Sequence, residues 1–413
     1  MKKRMILTAC ALVSLAAFAE TTENLSDQLN PLITGVPSLS IGPDAVAGGM
    51  GDVGTATVPT NSAQHWNSSK YAQMPSSAGF TISYTPWLRS LGVGDIDLAY
   101  LSGYYQISRL AGTVSSSLRF FSLGEIQLRE SKDATPIAVK PYELAFDAGY
   151  ERMLSEHFSM GVVFRFICSD LSAKTDDNYH TGFAFGADIN GYYELPIDIK
   201  TGTSKFAFGF NIANLGTKIS YDKGQTSNFL PTDLRFGLSY LVPFNRYNRL
   251  SISVDFDKLM VPSRNVNERI AKKAGINTAD IGDSHRHTAE DGSAYWTLDD
   301  DQYTEISPMK GVFWSFADAP GGAKEEFKEI NFGVGMEYAY NEQFFGRVGY
   351  HNEAKSKGNR KYFTFGAGFR LSAFRLDVGY VLALAQNNPL DQTLRFSLAF
   401  DVDGIKALAD RNK

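Results

Sequence analysis

The sequence predicts an all-β protein, a transmembrane antiparallel β-barrel of about 14 strands with an N-terminal plug segment, the even strand count of bacterial outer-membrane barrels. Three observations predict it. Apolar and polar residues alternate with period two in many runs, most of them near the roughly 9 to 11 residues that a tilted strand needs to cross the hydrocarbon. The connections between these runs alternate, with few exceptions, between short and long. The chain opens with an export-signal layout, yet no later apolar run reaches the roughly 18 residues of a membrane-spanning helix.

Residues Met1 to Ala19 carry Lys2-Lys3-Arg4, an apolar core and Ala17-Phe18-Ala19, the layout of a secretory signal peptide spanning 1–19. The mature chain then begins at Glu20. A lipoprotein reading at Cys10 is weaker, because only a few apolar residues precede it and the apolar core continues past it. Removal of the signal leaves Cys168 as the single cysteine, so no intrachain disulfide can form.

Residues 20–77 read as an N-terminal periplasmic and plug segment. Its centre is Ile41 to Tyr71, where six of the residues from Gly42 to Gly54 are Gly or Pro. Such a backbone folds tightly where a Cβ would clash, which suits packing inside a barrel. Gly48, Gly49, Gly51, Gly54, Trp66 and Asn67 are the plug residues of interest. Gly49, Gly51 and Gly54 match the G-x-G-x-x-G spacing of a dinucleotide-binding turn, but Pro43 precedes them and the Thr55-Ala56-Thr57-Val58-Pro59 that follows does not start a helix.

The barrel is expected over 78–403, with strands near 79–85, 95–107, 112–123, 142–154, 158–168, 181–193, 204–212, 232–242, 249–258, 329–340, 344–350, 362–370, 374–384 and 392–401. Tight turns such as Asn341–Gln343 alternate with longer connections, of which 259–328 is the longest; 194–203 is a somewhat longer turn, and 404–413 is a polar C-terminal tail. Short periplasmic turns and long external loops are the pattern of outer-membrane barrels, and put the 259–328 loop outside the cell. One strand face is Phe, Leu, Ile, Val and Tyr. The other holds small residues with Arg119, Glu143, Asp147, Arg165, Asp188, Arg235, Asp255, Glu337, Arg375, Asp377 and Arg395. In a membrane these charges must face the lumen, since Arg or Lys on the lipid face near midplane costs about 2–4 kcal/mol. The 29 Phe and 20 Tyr fit interfacial girdles.

A net charge of −5 argues against electrostatic nucleic-acid binding. His157 and Ser159 share a strand face, as a lipase base and nucleophile would, but lie at an expected tight turn. His285-Arg286-His287 and Asp299-Asp300-Asp301 match no ligand frame and read as solvated loop charges. No catalytic, cofactor or metal residues are therefore assigned. The aromatic stretch from Gly311 to Gly322 is unusual for an exposed loop, and Trp296, Phe313, Trp314 and Phe316 are the candidate partner-binding residues.

The stretches GPDAVAGGMGDVGTA from Gly42, QHWNSSKYA from Gln64, SYTPWLR from Ser83, DIDLAYLSGYYQ from Asp95, SLRFFSLGEIQLRE from Ser117, SFADAPGGAKEEFKEINFG from Ser315 and KGNRKYFTFGAGF from Lys357 resemble the PorV family. These are outer-membrane components of the type IX secretion system, with barrels similar to the FadL fatty-acid transporters. Where the family tends to have Asn-Pro, this chain has Asn67-Ser68, which implies a less rigid plug turn; residues 265–305 are not placed by the resemblance. The resemblance implies a non-enzymatic protein in the outer membrane of a Gram-negative bacterium. It would collect cargo proteins bearing C-terminal sorting domains from a very large translocon barrel and pass them to the sortase PorU and its attachment complex. The alternative is a FadL-like channel for hydrophobic small molecules.

Overall fold

Alternation of β-branched and aromatic residues with small or charged ones gives each segment two chemically different faces, and by closing on themselves the strands enclose one face and leave no open edge. The computed structural model describes residues 30–89, 94–108, 110–128, 137–171, 180–222, 224–281, 283–288, 294–384 and 390–411; the signal segment 1–19 with Cys10, and the start of the 20–77 segment, lie outside them. Fourteen strands form one closed antiparallel barrel. They are β1 (Ala78–Trp87), β2 (Ile96–Ser108), β3 (Gly112–Leu123), β4 (Tyr142–Met153), β5 (Phe158–Asp170), β6 (Gly182–Ile199) and β7 (Gly202–Gly216). The series continues with β8 (Asp233–Pro243), β9 (Asn248–Leu259), β10 (Ile330–Tyr340), β11 (Phe344–Asn352), β12 (Lys361–Leu371), β13 (Phe374–Ala383) and β14 (Leu394–Asp401). Closure comes from β14 pairing with β1, with Phe80 opposite Phe400 and Tyr84 opposite Phe396.

The face division follows the sequence. Ile82, Leu101, Phe120, Phe164, Phe185, Ile252, Phe365 and Phe396 point outward and are exposed, forming an apolar belt. The charged set points inward: all of it is buried except Arg375, which is half-buried.

Both ends of the barrel chain, Ala78 and Asp401, lie at the end of the short turns, and the long connections gather at the other. The turn expected over 194–203 is shorter than that, because β6 and β7 extend to Ile199 and from Gly202. Pro196 suggests a strand end, but β5 stops pairing with β6 at Tyr193. From there β6 has one neighbour, and a missing N–H on the unpaired side costs no ladder bond.

The long connection between β9 and β10 is a folded unit. A three-stranded sheet (Asn265–Val266, Ala294–Thr297, Arg286–Thr288) packs with α-helices at Glu268–Ala274, Asp300–Glu305, Pro308–Trp314 and Ala323–Lys328. Its core holds Val266, Ile270, Leu298, Tyr303, Ile306 and Trp314, joined to the barrel mouth through Phe229 and Val261. The polar tail expected over 404–413 lies, as far as it is described, in a helix spanning Val402–Arg411.

Candidate functional site

The lumen is filled by residues 36–73, and its inward charges hold them. Asp44 caps the short helix Ala45–Gly48, accepting from the N–H of Val46 (3.0 Å) and Ala47 (3.1 Å), and also accepts from Trp66 Nε1 at 2.6 Å. Asp255 Oδ2 accepts from the N–H groups of Gly54 and Thr55, both at 2.8 Å. Asp52 pairs with Arg395 and accepts from the Tyr362 hydroxyl at 2.5 Å. Arg119 donates to the carbonyls of Ser38 (2.6 Å) and Ile41 (2.9 Å).

The plug glycines lie where backbones or side chains meet. A Cβ on Gly48 would stand 2.7 Å from Arg395 Cδ, and one on Gly49 2.9 Å from the Cα of Gly366 on β12. Gly51 has φ of +73° and touches the Tyr350 backbone, while Gly54 lies flat against the Trp66 ring. The G-x-G-x-x-G spacing thus reflects close packing against β11, β12 and Trp66.

Asn67 and Ser68 are fully buried. Asn67 Nδ2 donates to the carbonyls of Thr55 and Gly191, both at 2.9 Å, and Asn190 Oδ1 accepts from Ser69 N (2.8 Å) and Ser68 Oγ (3.2 Å). The rigidity that a proline would supply to this turn comes instead from hydrogen bonds to β6.

The course of the plug is set by contacts at both ends of the barrel. Asn30 N donates to Ser356 O at 3.0 Å and Gly35 N to Phe229 O at 2.9 Å, both in long connections. At the other extreme Gln73 Nε2 donates to Ser159 Oγ at 3.1 Å and Ser77 N to Asp403 at 2.7 Å, at the short-turn end. The segment therefore runs through the lumen from the long-loop end to the short-turn end before β1 begins. The physical reason is that its turns are cut to the lumen charges along the way, Arg119, Asp255 and Arg395 among them.

Further ion pairs line the wall. Arg165 bridges Asp147 (2.7 Å) and Asp188 (3.0 Å), and Arg347 bridges Glu337 and Asp377, both at 2.8 Å. Ser159 donates to the plug carbonyl of Ser69 at 2.8 Å, and the His157 ring meets Tyr193 edge-on, so the pair is spent on packing.

At the long-loop end the four aromatic candidates divide. Phe313 (72% exposed) and Phe316 (49%) face outward, whereas Trp314 is only 8% exposed and belongs to the loop unit's core. Trp296 is half-buried, lies in the small sheet and packs against the same core. In the helix Pro308–Trp314 the last residue is turned into the core and Phe313 outward, and Phe316 follows just beyond the C-cap Ser315. The sequence reading missed Phe327 (74% exposed), which with Phe316, Ile330, Arg269 and Lys258 lines a groove of about 430 Å³. A lone phenylalanine among the charges of Ala-Lys-Glu-Glu-Phe-Lys was the available signal.

Beneath this groove lies a charged cluster. Lys258 contacts Glu326 (3.2 Å) and Glu329, and Lys357 contacts Glu325 (2.7 Å) and Glu329 (2.9 Å). Burial, reinforced by the Glu329 and Glu326 carboxylates, pushes Asp318 up to about 7. The histidines and the acidic run of the loop are not brought together: Asp299 caps the helix Asp300–Glu305, Asp300 pairs with Arg264 at 2.6 Å, and His285 and His287 are exposed.

No curated protein matches the chain. Among solved structures it is similar to the Pseudomonas putida toluene transporter TodX, at 10% identity over 90% of this chain and 99% of that one, with a TM-score of 0.49. It is also similar to a Pseudomonas aeruginosa FadL homologue, at 10% identity over 87% and 98%, with a TM-score of 0.40. The family described as "Type IX secretion system protein PorV" matches residues 24–266, a stretch that holds the whole plug and the first nine strands. Because that match takes in more than half of the 413 residues, the chain belongs to the PorV family of type IX secretion system proteins.

Proposed function

We propose that this outer-membrane barrel collects secreted proteins through their C-terminal sorting domains as they leave a large translocon barrel, and delivers them to the sortase PorU and its attachment complex. The long-loop end faces the cell exterior and is the working surface. The observation that carries this reading is the outward set of Phe313, Phe316 and Phe327 on a folded unit above the barrel mouth. Aromatic side chains held rigidly in the open, beside a groove, are the usual anchors of a protein partner. The filled lumen favours the rim over the interior as the working part. A hydrophobic small molecule would have to displace a plug held by Asp255 and by the Asp52–Arg395 pair. Breaking a buried ion pair costs about 3–5 kcal/mol.

The test replaces Phe313, Phe316 and Phe327 together by Ala. Barrel folding should be unchanged, and capture of a purified sorting domain should weaken by at least roughly thirtyfold, the effect of losing about 2 kcal/mol at a hot spot. Cargo on the cell surface should fall with it. Unchanged capture and unchanged surface cargo would remove the rim from the binding site. Failure of the unmodified protein to capture any sorting domain would favour a FadL-like channel.

A further inference from the structure

We infer that Asp318, Glu326 and Glu329 form a binding site for a hard divalent cation of the calcium class, which fastens the aromatic rim to the barrel mouth. One carboxylate oxygen from each residue can be chosen so that all three lie within 4.8 Å of one another. That spacing is close to the reach of a single calcium ion, whose oxygen ligands stand at about 2.3–2.6 Å, so a small side-chain adjustment lets one ion touch all three. The donor set is oxygen only, which suits a hard cation and not a softer transition metal.

An acidic cluster alone would say little, but Asp318 adds a second observation. It is 1% exposed, and one of its oxygens accepts from Ser263 N at 2.7 Å. The other is buried without a hydrogen-bond partner among the described residues. A buried carboxylate oxygen with no donor is costly unless something positive comes to it. The local charge has the same sign of imbalance: the carboxylates of Asp318, Glu325, Glu326 and Glu329 face the ammonium groups of Lys258 and Lys357. Carboxylates outnumber ammonium groups in the cluster, so its field favours a cation.

Lys258 is the residue that must yield, since its Nζ contacts both Glu326 and Glu329. It also lines the open groove beneath Phe316 and Phe327, so its flexible four-carbon stem has space to swing into. Lys357 stays on Glu325 and Glu329 as an outer partner. The ligands come from the turn after the helix Pro308–Trp314, from the helix Ala323–Lys328 and from the residue before β10. A cation joining them fixes the segment carrying Phe316 and Phe327 against the barrel. This inference stands on the cluster's own geometry and does not depend on cargo binding.

The experiment titrates calcium chloride into the chelator-washed full chain in detergent by calorimetry, and repeats it with magnesium chloride alone. Limited proteolysis within 264–328 is followed in parallel. One saturable calcium site is expected, with calcium slowing cleavage. Asp318→Asn keeps an acceptor for Ser263 and should weaken calcium binding at least tenfold and abolish the protection. Lys258→Met removes the competing ammonium and should tighten binding several-fold. Absence of calcium binding in both the unmodified chain and Lys258→Met overturns the site, as does unchanged affinity in Asp318→Asn. Tighter binding of magnesium than calcium overturns the cation class.

Discussion

Gly51 and Trp314 show how single residues set the two working parts of this molecule. At Gly51 a Cβ would stand 2.7 Å from the Tyr350 carbonyl oxygen, on a backbone with φ of +73°. Gly51→Ala should therefore destabilise the plug by more than about 1 kcal/mol, since alanine is strained where φ is positive. A lower denaturant midpoint for loss of the plug, with the barrel still folded, is the expected measurement. Trp314→Ala should cost the loop unit about 3–5 kcal/mol, the range for emptying a buried aromatic site. Rapid proteolysis within 264–328 would report it, whereas Phe313→Ala should leave the cleavage rate unchanged. The two residues are neighbours in sequence and opposite in consequence. The sequence reading grouped them because aromatic composition does not say which face of a short helix is covered; that depends on Phe229 and Val261, which arrive from the barrel mouth. The lumen charges were legible for the opposite reason, since a period of two leaves each residue only two faces to choose from.

Among the elements, β14 is the seam. Its pairing with β1 removes the last open edge, and no open edge is tolerated in hydrocarbon. Deleting residues from Thr393 onward should abolish the compact form seen by heat-modifiable migration. Removing only 407–413 should not, because Asp403 still accepts from Ser77 N and Ser77 Oγ and ties the strand's exit to the start of β1. Strand positions were readable from alternation to within a few residues. The exceptions have local causes: Pro196 looks like a terminator until its unpaired side is known, and the loop unit's short helices and strands carry too few periods to stand out from a loop.

For the whole molecule, the start of the plug segment and the long loop share one end of the barrel. Asn30 donates to Ser263 Oγ and to Glu325, both at 3.0 Å, so the N-terminal segment is part of the rim that presents the aromatic groove. Composition could announce a plug but not its direction, which is fixed by tertiary partners distant in the sequence. Orientation in the membrane can be read with a Cys168→Ser background carrying Gly224→Cys or Arg246→Cys, in a long connection and a short turn respectively. An impermeant maleimide on intact cells should label the first, and should label the second only after the outer membrane is broken. Whether the aromatic rim receives secreted cargo is decided by a photo-crosslinking amino acid placed at Phe327 in secreting cells. A covalent adduct is expected whose partner peptide lies in a C-terminal sorting domain. Adducts with sorting domains from positions on the short turns, with none from Phe327, would contradict it.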